Sequence, residues 1–67
     1  MTTFKEANQA RLKLKNKMAG YSWYSNSGVF LDNDRYYIGL TVKRLDDSVK
    51  HIVPSYVDGV LVKTILE

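Results

Sequence analysis

His51 is the residue best suited to acid–base chemistry, because it is the only histidine in the chain and histidine titrates near neutral pH. A general base needs a nucleophile or an orienting carboxylate beside it. Asp47, Ser48 and Ser55 lie near His51 in the sequence, but their spacing assembles no catalytic triad. We therefore expect a surface or partly packed histidine, no catalytic residue and no enzymatic activity.

The acidic run Asp32-Asn33-Asp34 superficially resembles the start of a calcium-binding loop. An EF-hand loop also requires a glycine and a distal bidentate glutamate, which are missing, so the run predicts a solvated turn. With no cysteine and one histidine, a single chain cannot build a cysteine-based or multi-histidine metal site. The four glycines are isolated, so no phosphate-binding glycine loop is present. We expect neither a metal nor a cofactor.

The net charge of +3 comes from the first twenty residues, which hold five basic residues against one acidic residue. A basic segment can attract phosphate backbones or an acidic partner. The sequence favours a plainer interpretation, in which these side chains spread around a helix and form a solvated surface. If the segment binds nucleic acid or an acidic protein, the contacts are Arg11, Lys13, Lys15 and Lys17.

Eight aromatic residues in so short a chain could form a core or a base-stacking surface. Tyr37, Lys43 and Arg35 fall on one face of a predicted strand, and an aromatic ring beside cations on a sheet can stack nucleic-acid bases. Trp23 is a second stacking candidate. Because no established nucleic-acid-binding motif is present, core or interface packing is the favoured role of the aromatic residues.

The clearest predicted element is a helix over residues 4–19. Thr3 and Glu6 have the capping-box spacing, and Gly20 is placed to end the helix in the left-handed conformation. Leu12 lies almost opposite the apolar stripe, so we expect it to be exposed, either as an ordinary surface residue or as a contact with a second subunit. The stripe follows spacings of three and four and consists of Phe4, Ala7, Ala10, Leu14 and Met18.

The rest of the chain reads as strands separated by turns. Residues 36–45 alternate most clearly, with Tyr36, Ile38, Leu40 and Val42 on one face. An antiparallel hairpin through the acidic turn is expected. The other predicted elements are a β-like stretch over 22–31 interrupted by a bulge or loop, a short edge segment over 51–53 stopped by Pro54, a turn at Asp58-Gly59 and a last strand over 60–66.

These elements predict a single α+β domain spanning residues 1–67. One apolar helical stripe and one mainly apolar sheet face are best buried as a two-layer sandwich, with the N-terminal helix on a three- to four-stranded, mainly antiparallel sheet. The order of the strands stays open, because the segment 52–53 can pair with either neighbour. No stretch is long and apolar enough to span a membrane, and the polar amino terminus and absence of cysteine favour a cytoplasmic protein.

One stretch of the carboxyl half resembles a small α-β-β-β module of unknown function that precedes some bacterial trypsin-like peptidase domains. The module typically ends with proline, two residues, then an apolar residue followed by Asp-Gly-Val, any residue and Val, and Pro54 and residues 57–62 match it. Segments 29–31 and 37–43 and the preceding helix also fit. The resemblance implies a fold and no catalytic residues. Because the chain ends at Glu67, before any peptidase domain, we expect no peptidase activity.

Two functions remain open from the sequence. A chain of 67 residues without a disulfide has a thin core, and sheet edges need pairing or protection, so the leading hypothesis is a non-enzymatic, self-associating module that binds another protein. The alternative is a small basic nucleic-acid-binding accessory protein. A standalone module of this kind would also suit a virus or a mobile element.

Overall fold

The computed structural model describes residues 2–67 and, within them, two helices packed with four strands. The strands form one sheet in the order β1-β2-β4-β3. The predicted α+β two-layer fold is confirmed, with α1 on one face of the sheet. In chain order the elements are α1 (Phe4–Met18), β1 (Tyr24–Asp32), β2 (Arg35–Val42), α2 (Asp47–Ile52), β3 (Tyr56–Val57) and β4 (Val60–Leu66).

The start of α1 is the predicted capping box. Thr3 Oγ1 accepts a hydrogen bond from the Glu6 N–H at 3.2 Å, and Glu6 Oε1 accepts one from the Thr3 N–H at 3.3 Å. These side chains satisfy backbone donors that the first helical turn leaves unpaired. The carboxyl end differs from the prediction. The helix ends at Met18, and Ala19 caps it in the right-handed region at φ −59°. Gly20 does not adopt the left-handed conformation that was predicted for it.

The turn between β1 and β2 explains the predicted hairpin. Asn33 and Asp34 have φ angles of 50° and 62°, the two consecutive left-handed residues of a tight type I′ turn, which Asn and Asp tolerate better than most residues. Asp32 therefore faces Arg35, and the two strands pair antiparallel. The predicted interruption of the first strand is a register shift between Tyr24 and Asn26.

A second helix replaces the edge segment predicted for residues 51–53. Asp46 starts this helix, because its Oδ1 accepts hydrogen bonds from the Val49 N–H at 3.0 Å and the Ser48 hydroxyl at 2.8 Å. These two hydrogen bonds, that from the Val49 N–H foremost, lower the pKa of Asp46. Val49 is fully buried and anchors the helix Asp47–Ile52 to the core.

The sheet is mainly antiparallel, as predicted, but it is mixed, since one of its three strand pairings is parallel. β4 pairs parallel to β2, with Ile38 opposite Val62, while the two outer pairings are antiparallel. Parallel neighbours need a crossover connection, and the segment that contains α2 provides it. The predicted Asp58-Gly59 turn is confirmed: both residues have positive φ, and they join β3 to β4.

The core lies between α1 and the sheet. Within residues 2–67 no polar or charged residue is buried, so packing of apolar side chains holds the layers together. None of the helices in this range is long and apolar enough to pass through a lipid bilayer. The buried hydrophobic side chains of this core are Ala7, Ala10, Leu14, Met18, Trp23, Ile38, Leu40, Val42, Val49, Val53, Val60 and Val62.

Candidate functional site

The face of the sheet turned away from α1 is the main candidate surface, and we call it the open face. Side chains alternate between the two faces of a strand, so the residues between the buried ones point to this side. By strand pairing, the open face comprises Asn26, Gly28, Phe30 and Asp32 on β1, Arg35, Tyr37, Gly39 and Thr41 on β2, Leu61, Lys63 and Ile65 on β4, and Tyr56 on β3.

Phe30 lies across two glycines that face each other on β1 and β2. Gly28 is paired with Gly39, and a Cβ added at Gly39 would come within 2.8 Å of Phe30 Cδ2 and 3.2 Å of Ile65 Cδ1. A Cβ at Gly28 would sit 3.3 Å from Phe30 Cε2. The absence of side chains at both positions therefore lets the Phe30 ring rest on the backbone of the sheet.

A row of three side chains crosses the open face from β1 to β4. The rings of Phe30 and Tyr37 stack with centroids 5.6 Å apart, and Lys63 Nζ lies over the Tyr37 ring, 4.3 Å from its centroid. Asp32 Oδ2 lies 3.6 Å from the same ammonium group. Cation–π attraction and the exposed ion pair thus hold the lysine beside the tyrosine.

The open face exposes four large apolar side chains, Phe30, Tyr56, Leu61 and Ile65. Phe30 keeps 46% of its surface accessible even though its ring packs on the sheet and on Tyr37. A groove of about 810 Å³ opens at the β1–β2 turn end of this face, and Tyr37, Tyr56 and Leu61 contribute to its walls. Clustered exposed apolar side chains with polar neighbours are typical of a protein-binding surface.

The basic helix residues that the sequence predicted as partner contacts lie in different environments on α1. Lys13 forms an exposed ion pair with Asp58 at 2.6 Å, and Arg11 Nε donates a hydrogen bond to Asn8. Lys15 and Lys17 form no ion pair with any residue of the described range 2–67. These groups project from α1, which covers the sheet face opposite the open face, so they do not share a surface with Tyr37.

The two predicted stacking residues have different environments. Trp23 is only 4% exposed and stacks on Tyr21 with centroids 4.9 Å apart, so no base can reach its ring in this conformation. Tyr37 does lie on the open face, but Phe30 and Lys63 already pack against its ring. The structure therefore brings a cation to the predicted tyrosine from β4, a strand that the sequence reasoning did not connect with it.

The remaining predicted site residues are at the surface. Lys43 is exposed directly after the end of β2, where it continues the alternation that places Arg35 and Tyr37 on the open face. Leu12 is 43% exposed on α1, as its position opposite the apolar stripe predicted.

His51 is exposed in α2, and the neighbouring Ser48 hydroxyl donates to Asp46. The His51 side chain takes part in none of the side-chain hydrogen bonds found among residues 2–67. Within residues 2–67, no group of three or more acidic or histidine side chains is placed to hold a metal ion.

Sequence reasoning missed Phe30, Leu61, Lys63 and Ile65 as members of one surface. The signal was present in the last strand, where Leu61, Lys63 and Ile65 alternate with the predicted inward-facing residues. Joining them to Phe30 and Tyr37 requires the pairing of β4 with β2, which the sequence left open.

Comparison of the chain with protein-family models, with curated proteins and with solved structures finds no match.

Proposed function

We propose that this chain is a non-enzymatic, self-associating interaction module, and that it binds another protein through the open face of its sheet. The observation that carries the proposal is the cluster of Phe30, Tyr56, Leu61 and Ile65, which are all exposed on the one sheet face that no helix covers. Burying such side chains against a partner is the main source of free energy in protein association.

The charges around the cluster indicate what kind of protein fits. Arg35, Lys43 and Lys63 border the open face. Its acidic groups are already paired, since Asp32 lies beside Lys63, and Glu67, which follows β4 in the same alternation, accepts a hydrogen bond from the Ser25 hydroxyl. A partner with an apolar centre and an acidic rim would match this arrangement, since complementary rim charges steer association.

Nucleic-acid binding is the second candidate function. It is favoured by Lys15 and Lys17, which have no ion-pair partner within the described residues and lie near Arg11 along α1. Phosphate contacts of this kind would be strongly salt-dependent. It ranks second because Trp23 is buried and the Tyr37 ring is already packed, which leaves the helix without a stacking surface beside it.

The test introduces negative charge at exposed apolar positions on opposite sides of the molecule. Immobilised wild-type protein is used to capture partners, alongside the double variant Leu61→Glu/Ile65→Glu and the control Leu12→Glu, which places one negative charge on α1. We expect a specific protein to be captured by the wild type and the control and lost by the double variant. Equal capture by all three proteins would contradict a binding role for the open face.

Nucleic-acid binding is tested by titrating the protein into labelled random DNA and RNA and following fluorescence anisotropy at low and physiological salt. We expect no binding that depends on Lys15 and Lys17. Tight, salt-sensitive binding that disappears in Lys15→Glu/Lys17→Glu would replace the protein-binding proposal with the nucleic-acid one.

A further inference from the structure

The outer edge of β1 is a second surface that the open face does not include. β1 is the first strand of the sheet order β1-β2-β4-β3, so one of its edges has no neighbouring strand. It spans nine residues, whereas the opposite edge strand β3 has two. Residues 24–31 carry no charge and no proline, the features with which proteins usually block strand pairing at an edge.

The hairpin register shows which backbone groups of β1 point outward. In a hairpin closed by a two-residue turn, the closing pair Asp32 and Arg35 exchanges hydrogen bonds, and every second pair does the same. Phe30 therefore bonds inward to its partner Tyr37 on β2. By the same alternation, the N–H and C=O groups of Ser27, Val29 and Leu31 point away from β2.

One of these outward groups is already satisfied within the chain. The Ser27 N–H donates to Asn26 Oδ1 at 2.8 Å, so the asparagine side chain caps the edge at this point. The register shift between Tyr24 and Asn26 disturbs the strand further upstream. No comparable cap reaches Val29 or Leu31 among residues 2–67, so these two residues present two donors and two acceptors at the edge.

We propose that two copies of this chain pair through their β1 edges, antiparallel, with Phe30 opposite Phe30 of the second copy. This inference rests on the self-association part of the proposed function. In this register Val29 faces Leu31 of the second copy and Leu31 faces its Val29, and each pair exchanges two hydrogen bonds. The outward N–H and C=O groups of Val29 and Leu31 are then all satisfied, and Ser27, whose N–H is already capped, lies outside the paired segment.

A second copy fits this edge better than an unrelated peptide, because the edge is self-complementary about Phe30. Leu31 is 57% exposed and Phe30 46% exposed, and both would lose exposed apolar surface in the pair. The absence of charge on this stretch also lets two copies with a net charge of +3 approach one another.

The pairing would also enlarge the surface described above. A two-fold axis perpendicular to the sheet joins the two sheets into one of eight strands and places both open faces on the same side. The aromatic row would then run through Tyr37 and Phe30 of one copy into Phe30 and Tyr37 of the other.

Sedimentation velocity over the widest attainable concentration range tests this pairing with three lysine variants. Leu31→Lys places a charge at the edge, Leu66→Lys places it on a leucine of equal exposure, 57%, on β4, and Leu12→Lys tests the α1 alternative. We expect Leu31→Lys to weaken dimerisation by about 100-fold, since it brings like charges together, and the other two to leave it unchanged. Dimerisation that survives in Leu31→Lys but fails in Leu12→Lys or Leu66→Lys would overturn the edge pairing while self-association stands.

Amide exchange of the wild type, followed residue by residue by NMR, gives a readout that needs no variant. Exchange at Val29 and Leu31 should slow by about tenfold as the dimer forms, while the already capped Ser27 N–H should not respond. Protection that increases elsewhere but not at Val29 and Leu31 would contradict the pairing. A wild type that stays monomeric at the highest concentration would refute self-association itself, and the capture experiment on the open face would be unaffected.

Discussion

The face of the sheet beneath α1 and the open face are built from alternating residues of the same strands, yet they differ in composition and exposure. On β2 the covered face has Ile38, Leu40 and Val42, which are fully buried. The open face of the same strand has Arg35 and Tyr37, which remain accessible. The covered face is packed as a core, whereas the open face keeps apolar, aromatic and charged groups together at the surface.

The largest expected contrast between the faces is in truncation of leucines. Leu40→Ala removes a fully buried side chain beneath α1 and should lower the free energy of unfolding by about 2–5 kcal/mol. Leu61→Ala, on the open face, should change it by about 0.5 kcal/mol. Urea denaturation followed by circular dichroism measures both, and equal losses would show that the open face is also part of the core.

A smaller effect is expected where the open face packs on itself. In Gly39→Ala the new methyl group meets the Phe30 ring, so we expect a loss of about 1–3 kcal/mol in unfolding free energy. The same substitution in a Phe30→Ala background should cost much less, because the ring that causes the clash is gone. A double-mutant cycle by urea denaturation checks this, and additive effects would mean that the ring does not rest on Gly39.

The capping box of α1 lies outside both faces and should have a modest effect. Thr3→Ala removes the acceptor for the Glu6 N–H and should lower the unfolding free energy by about 1 kcal/mol, whereas Thr3→Ser should retain most of it. Thermal unfolding of the two variants is the measurement. An equal loss in both would assign the effect to the methyl group and not to the hydrogen bond.

The smallest expected effect is a pH dependence at Asp46. Its pKa is lowered in the folded state by the hydrogen bond from the Val49 N–H, so the ionised form stabilises α2 above the ordinary pKa of 3.8. That stability is lost as the pH falls through the lower, folded-state pKa. Asp46→Asn should flatten this part of the acid stability profile, and an unchanged profile would exclude Asp46 as its source.

Local signals in the sequence predicted most of the fold. Thr3 and Glu6 predicted the start of α1, and the acidic turn predicted the β1–β2 hairpin, because caps and tight turns depend on neighbouring residues. α2 was missed, since six residues with a single buried side chain, Val49, are too few for a helical periodicity. Its cap at Asp46 was the one available signal.

The candidate surface was less predictable, because it depends on contacts between distant segments. Lys63 reaches Tyr37 only because β4 pairs in parallel with β2, and alternation within a strand does not reveal its neighbour. The burial of Trp23 was equally hidden, since aromatic side chains serve both cores and binding surfaces.

We propose that the open face serves binding while the covered face maintains the fold. Measuring partner capture and unfolding free energy on one preparation of Leu61→Glu/Ile65→Glu tests this division of roles. We expect capture to be lost while the unfolding free energy stays within about 1 kcal/mol of the wild type. Capture that persists, or a loss of capture that accompanies unfolding of the variant, would contradict it.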